Sequence, residues 1–188
     1  METETKTKVV NGVDLRRLGE TIRTVKAQPE IGIFRFKNSN QWIDGGLNRS
    51  VIKDFYGAGK DDDTRKEAFI LDNDEPDILL GSDNAPNPVE YVLHALAGCI
   101  TTSIVYHAAA VGYKLDKVET EIEGCLDLNG FLGINPEIRN GYQFINVKVK
   151  IEGNVTEKEK EEIIKFGPKF SPVFDTLTGR VPVDVSMM

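Results

Sequence analysis

The chain has 188 residues, a net charge of −7 and a pI near 5.0. That length suffices for one domain with a sizeable core, or one domain plus an arm. An acidic balance with no basic run argues against nucleic acid or an anionic membrane surface as partner. Two cysteines make no disulfide framework, and the polar opening METETKTKVV has no apolar signal core, so a reducing cytoplasm is the expected location.

Residues 1–11 are polar. Residues 14–27 read as a helix with Leu15, Leu18, Ile22 and Val25 on one face, ended by Pro29. It is expected to be an arm that packs on the body or on a partner chain. Residues 31–36 (IGIFRF) read as a strand and residues 38–40 as a turn. Trp42 and Ile43 start a short strand, Asp44-Gly45-Gly46 makes a hairpin-type turn, and residues 49–56 form a further strand. Residues 57–63 (GAGKDDD) read as a loop. It is no phosphate cradle, because Asp61 stands where Ser or Thr should follow Lys60 and three adjacent aspartates repel phosphate. Residues 68–71 suggest another strand. The acidic run at 72–77 lacks the glycine and terminal glutamate of a calcium loop and reads as a solvated turn. A short apolar stretch at 78–80 and a loop at 81–86 follow.

Residues 88–111 (PVEYVLHALAGCITTSIVYHAAAV) dominate the sequence, and from 91 onward they hold no Asp, Glu, Lys or Arg. Asn87 is a good N-cap, Pro88 suits the first helical position, and Gly112 suits the residue just past a helix end. One helix of roughly 34 Å is predicted at 1.5 Å rise per residue. Such a run could span a bilayer by length, but two histidines, Thr101, Thr102, Ser103 and an alanine-rich bulk suit a buried soluble helix. An apolar circumference predicts burial on most sides.

After Gly112 the pattern turns to period two. Val118, Thr120 and Ile122 alternate with Glu119, Glu121 and Glu123; Ile145, Val147, Val149 and Ile151 alternate with Asn146, Lys148 and Lys150. These are two antiparallel neighbours with one buried face and glutamates set against lysines on the other. The long link at 127–141 is of the kind that lines sites or interfaces. Thr156 and Glu159 form a capping box that starts a helix to about Phe166, broken by Gly167-Pro168. Ser171 caps a short helix that Gly179 ends, and residues 181–185 read as a last strand.

Cys99, at the middle of the long helix, is the first candidate for chemistry, although free cysteine is among the most buried residue types and most often acts as a small hydrophobe. Cys125 follows the outward register of Glu119, Glu121 and Glu123, which marks it as an inert thiol. At 100° per residue, His94 lies roughly 140° and His107 roughly 80° around the helix from Cys99, so neither faces it. Two histidines and two dispersed cysteines make no zinc site. Esterase and dinucleotide motifs are absent.

Asn87-Pro88-Val89-Glu90, the Ala97-Gly98-Cys99 of the helix and Ser171-Pro172-Val173 together resemble the OsmC/Ohr family. The resemblance covers residues 31–185; residues 1–30 form an N-terminal helical arm and residues 31–188 the OsmC-like domain. It implies an α+β fold in which antiparallel sheets wrap around long central helices in an intertwined homodimer, with two active sites at the interface. It implies reduction of organic hydroperoxides by a helix thiolate that becomes a sulfenic acid, with no cofactor or metal. Carried over by position, Cys99 matches the peroxidatic cysteine and Arg49 the arginine that holds it. Glu90 stands one residue past the family's glutamate position, which Val89 occupies. Ser171 stands where the family has its resolving cysteine, so the sulfenic acid must be reduced by an external thiol. Phe131 or Phe174 would favour a small hydrophobic peroxide. A non-enzymatic OsmC-like dimer, binding a small apolar ligand or a partner in the same cleft, is the alternative.

Overall fold

A computed structural model describes residues 8–188; the first seven residues of the polar opening lie outside the described residues. The chain divides into two compact units, residues 14–91 and residues 8–13 with 92–188. It enters through a hairpin of β1 (Val9–Val10) and β2 (Val13–Asp14). Asn11 and Gly12 turn it with φ of 52° and 77°, the left-handed pair that matches strand twist in a two-residue hairpin.

In the first unit, α1 (Leu15–Ala27) is capped by Asp14, whose carboxylate accepts the Arg16 and Arg17 N–H groups. None of its residues is fully buried: of the apolar stripe expected to pack on the body or on a partner chain, Leu15, Leu18 and Val25 are half-buried and Ile22 is exposed. The strand expected at 31–36 is mostly absent: Pro29–Gly32 is a 3₁₀ turn, and within the span only Arg35–Phe36 pairs as a strand, β3. The turn expected at 38–40 belongs to β4 (Ser39–Asp44), which Gly45 and Gly46 join to β5 (Leu47–Ile52). The single strand expected at 49–56 breaks after Ile52 and resumes as β6 (Phe55–Gly57). The expected loop at 57–63 is a hairpin: Ala58 and Gly59, at φ of 52° and 83°, turn β6 into β7 (Lys60–Asp62). With β8 (Phe69–Asn73), these strands form two antiparallel sheets of order β3-β6-β7 and β4-β5-β8.

The acidic run at 72–77 is more than a solvated turn. Asp74 is buried, and its carboxylate accepts the N–H groups of Glu75, Ser82 and Asn84, which closes the loop ahead of the long helix. Those three donors hold its carboxyl below the ordinary carboxylate value. The apolar stretch at 78–80 lies around a 3₁₀ turn (Asp77–Leu79).

The long helix α2 (Pro88–Val111) has the extent its sequence predicts. Gly112, at φ 95°, ends it as expected, with Tyr113 N–H on the Ala108 carbonyl and Gly112 N–H on the Ala109 carbonyl, a Schellman pair. Burial is narrower than an apolar circumference predicts. Leu96, Ile100, Ser103, Ile104, Ala108 and Ala109 are buried, whereas Ala95, Gly98, Thr102 and Tyr106 are exposed.

The second unit supplies the cover for the buried face. β9 (Leu115–Cys125) pairs antiparallel with β10 (Phe144–Gly153), with Glu121 opposite Lys148 and Glu119 opposite Lys150 as the charge pattern predicts. Val118, Ile122, Ile145, Val147 and Val149 pack from the inner face onto the core of Leu96, Ile100, Ile104, Ala108, Ile151 and Ile163. The link carries a short helix, α3 (Leu128–Phe131). The Thr156–Glu159 capping box is present and starts α4 (Glu157–Ile164). Gly167-Pro168 does not break the helical path as expected, because a new helix, α5 (Phe166–Phe170), begins there and puts Pro168 in its first turn, where a missing N–H costs nothing. Helix α6 (Pro172–Thr178) starts at Ser171 and closes at Gly179. The last expected strand does not form: residues 181–185 have no strand partner among the described residues, and Val183 and Val185 are exposed.

Gly167 sets α5 close against α2. A Cβ there would stand 2.9 Å from Cγ2 of Ile100 and 3.4 Å from Cδ1 of Ile104, both buried. Overpacking a core costs about 1–3 kcal/mol, against a helix-propensity gain for alanine of at most about 1 kcal/mol. Gly167→Ala is therefore expected to lower the urea midpoint at unchanged m-value; an unchanged or raised midpoint would show that α5 can draw back freely.

Candidate active site

Cys99 is a free, half-buried thiol on the rigid middle of α2. Its helical neighbours Leu96, Ile100 and Ser103 are buried and Gly98 and Thr102 exposed, so it stands where the covered face meets the open one. Such a position gives a thiol a fixed direction and a route for a reagent. Cys125 is exposed at the end of β9, opposite Phe144 and in register with the outward glutamates.

Glu90 has a defined occupation at the start of α2. Its Oε2 accepts the Asn87 N–H at 2.9 Å, while its own N–H donates to Asn87 Oδ1 at 3.0 Å. This reciprocal pair satisfies donors that a helix N-terminus otherwise leaves open.

Arg49 lies on β5 directly opposite Asp72 of β8. Its Nε donates to Asp72 Oδ1 at 2.6 Å and its Nη2 to Oδ2 at 2.8 Å, a bidentate fork. Hydrogen bonding to Asp72 and then its charge raise the guanidinium above its ordinary value, and the Arg49 hydrogen bond holds the carboxyl low. The backbone carbonyl of Asp72 accepts the Tyr91 hydroxyl at 2.9 Å, which ties β8 to the first turn of α2. Asp72 carried no signal of its own in the sequence: it sits inside an acidic run, and its partner lies 23 residues away. Ser50 and Leu71, the next pair along the sheet, point to the opposite face. With Asn38, Ile52, Asn73 and Tyr91 they line a cavity of about 220 Å³ without a charged group.

Ser171 is the N-cap of α6. Its hydroxyl accepts the Phe174 N–H at 3.1 Å, and the residue is only 2% exposed. Phe174 packs against the core of the second unit, and Phe131 is exposed on the β9–β10 link. Among the described residues no group of three or more His, Cys, Asp or Glu converges on a metal site.

Of the two histidines, His94 is exposed and His107 is stacked. The His107 ring lies 3.6 Å from the Phe170 ring at an interplanar angle of 9°, with Phe166 at 5.9 Å. The sequence offered no sign of this stack, because the ring partners, Phe166 and Phe170, come from a segment about sixty residues on.

A family model for OsmC-like proteins matches residues 81–186, more than half of the chain. No curated protein sequence matches it. Among solved structures, an OsmC-like protein from Mycoplasma pneumoniae is similar at 19% identity and a TM-score of 0.60, over 77% of this chain and 88% of that one. An organic hydroperoxide resistance protein, OsmC, from Legionella pneumophila is similar at 19% identity and a TM-score of 0.54, over 76% of this chain and 90% of that one. At these identities the likeness establishes the fold.

Burial first, and Lys169 second, hold the His107 imidazole below its ordinary value of 6.5. The unfolded chain therefore takes up this proton before the folded one as pH falls. The stability His107 contributes is complete above the unfolded value and is lost as pH drops through the lower, folded one. His107→Gln is expected to flatten the pH dependence of the urea midpoint between about pH 7 and pH 5 relative to wild type; parallel curves would show that the packing around His107 does not resist protonation.

Proposed function

Because the chain belongs to the OsmC-like family, we propose that it reduces organic hydroperoxides through Cys99, as a homodimer, with an external thiol as reductant. The observation that carries the reading is the half-buried free thiol fixed on the central helix of a chain in this family. The Cys99 thiolate attacks one peroxide oxygen; an S–O bond forms, the O–O bond breaks, and the departing alkoxide takes a proton to leave as the alcohol. The family resemblance gives Arg49 the role of the cation that stabilises the negative charge moving from sulfur to the leaving oxygen. Ser171 has no thiol to offer, so a small external thiol condenses with the sulfenic acid, releasing water and leaving a mixed disulfide. A second thiol displaces Cys99 from that disulfide and restores it. Apolar side chains exposed in the single chain, Phe131 among them, suit a hydrophobic peroxide.

Wild type is expected to consume one equivalent of cumene hydroperoxide without added thiol and to yield a dimedone-trappable sulfenic acid at Cys99. Cys99→Ser should consume none. Equal consumption by both proteins would overturn the reading. No consumption by either would favour the non-enzymatic alternative, a dimer that binds a small apolar ligand.

The homodimer rests on the uncovered face of α2. Ala95, Gly98, Thr102 and Tyr106 are exposed, Tyr106 by 51%, and a Cβ built on Gly98 meets no atom within 4 Å. Small residues along a helix let a second helix approach closely. Light scattering should give a dimer at micromolar concentration, and Gly98→Leu should weaken it while leaving the far-ultraviolet circular dichroism of a folded chain. A wild-type monomer, or a Gly98→Leu dimer of wild-type affinity, would remove the α2 face as the interface.

A further inference from the structure

We infer that the cavity lined by Asn38, Ser50, Ile52, Leu71, Asn73 and Tyr91 is a binding site for a small uncharged carboxamide. It lies within the first unit, uses none of the residues assigned to peroxide reduction and goes beyond that reading. On the sheet of β4, β5 and β8, the register puts Asn40, Ser50 and Leu71 in one row of a single face, and Asn48 and Asn73 in the next row of the same face. Asparagine is depleted in strands, and the covered face of an antiparallel sheet is ordinarily apolar. Part of this polar face is structural. Ser50 is only 7% exposed, and its Oγ accepts from Asn38 Nδ2 at 3.2 Å and from Asn40 Nδ2 at 3.1 Å. Asn40 Nδ2 also donates to Asn48 Oδ1 at 2.7 Å, and Asn48 Nδ2 donates to the Gly46 carbonyl at 3.2 Å. Three amides and a hydroxyl thus hold one another in place. Two groups are left over. The Ser50 hydroxyl accepts twice, and its own proton has no acceptor among the described residues. Asn73, directly opposite Asn48, makes no side-chain hydrogen bond among the described residues. Both line the cavity, with Asn38 at its exposed rim and Ile52, Leu71 and the Tyr91 ring as apolar walls. The Tyr91 wall is fixed, because its hydroxyl is bonded to the Asp72 carbonyl.

This lining selects the chemistry of the ligand. A primary amide such as that of Asn73 offers N–H and C=O side by side, and a second amide returns both bonds. The Ser50 hydroxyl adds a donor for the remaining lone pair of the ligand's carbonyl. Arg49 and Asp72 alternate to the opposite face and are paired with each other, so a carboxylate or an ammonium would enter without a counter-charge. The cavity volume of about 220 Å³ equals that of about seven water molecules at ~30 Å³ each. It lies below the about 300 Å³ at which sites for drug-sized molecules begin, so the ligand is small, with a short hydrocarbon part against Ile52 and Leu71.

The test is a titration of the full chain with isobutyramide, followed by amide-resolved NMR at concentrations into the high millimolar range. Saturable shifts are expected at the Asn73 side-chain amide and at the backbone of Ser50 and Leu71. Isobutyrate has the same shape but carries a charge, and isopropyl methyl ketone has the same shape but no donor; each should bind about tenfold more weakly or worse, the scale of one unmade hydrogen bond in a half-buried site. Asn73→Ala removes the free amide without breaking a side-chain bond, so it should keep the wild-type fold and weaken isobutyramide by about tenfold. Where Asn73→Ala does not fold, the two isosteres on wild type decide alone. The absence of saturable shifts, shifts that saturate elsewhere than the cavity, an isostere that binds as well as the amide, or a folded Asn73→Ala of wild-type affinity would each overturn the inference. None of these results bears on Cys99, so failure here leaves the peroxide reading as it stands.

Discussion

A helix with no charged side chain beyond its first turn must find apolar cover or draw the chain into aggregation, and this requirement orders the second unit. The β9–β10 ribbon turns Val118, Ile122, Val147 and Val149 onto one side of α2 and leaves the glutamates and lysines facing water. Helices α4 to α6 bring Ile163, Ile164, Phe166, Val173 and Phe174 to the same core. Gly167 shows how tight the approach is, since a single methyl group there would enter the van der Waals shell of Ile100. The cover is nevertheless one-sided. What remains open on α2 between Ala95 and Tyr106 is uncharged and, apart from Tyr106, made of small residues, which leaves room for a second helix.

The same constraint explains where a reactive thiol can stand. A cysteine on the covered face would be sealed, and one at the centre of the open face would lack a wall. Cys99 lies on the boundary, flanked by buried Leu96 and Ile100 and by exposed Gly98. Both ends of the helix are closed by hydrogen bonds, at Asn87–Glu90 and at Gly112–Tyr113, so the thiol's position along the axis does not depend on frayed turns.

Legibility from sequence followed the range of the interactions involved. The caps at Asn87, Gly112, Thr156 and Ser171 are local, and the structure has each where the residues predict it. The strand pair 115–125 and 144–153 was legible because alternation and complementary charge agree. The β6–β7 hairpin was missed because its second strand reads KDD: an edge strand with no apolar alternation resembles a loop, and Ala58 gives no hint of its positive φ. Asp74 was hidden inside an acidic run that looks solvated, although its three backbone donors make it the clasp of the loop. The alternation of Val181, Val183 and Val185 did resemble a strand, but a strand also needs an edge to pair with, and within the described chain none takes it. As for the candidate site, the thiol and the serine were legible as single positions, whereas the Arg49–Asp72 fork depends on a register between β5 and β8 that no local pattern reveals.

Position 171 shows how folding and chemistry compete for one residue. A helix N-cap favours an oxygen acceptor, and serine is among the best, whereas a thiol accepts hydrogen bonds weakly. Here the hydroxyl is buried and bonded to Phe174 N–H, so the start of α6 is secured by the side chain that the proposed reading puts at the family's second-thiol position. On the proposed reading, that choice moves the resolving step out of the protein. A sulfenic acid at Cys99 must then stay reachable by a thiol from solution for as long as it lasts, and the half-open setting of the cysteine meets that need as well as the entry of the peroxide. An intramolecular pair would favour a closed cleft between turnovers; a single cysteine served from outside favours one that stays open.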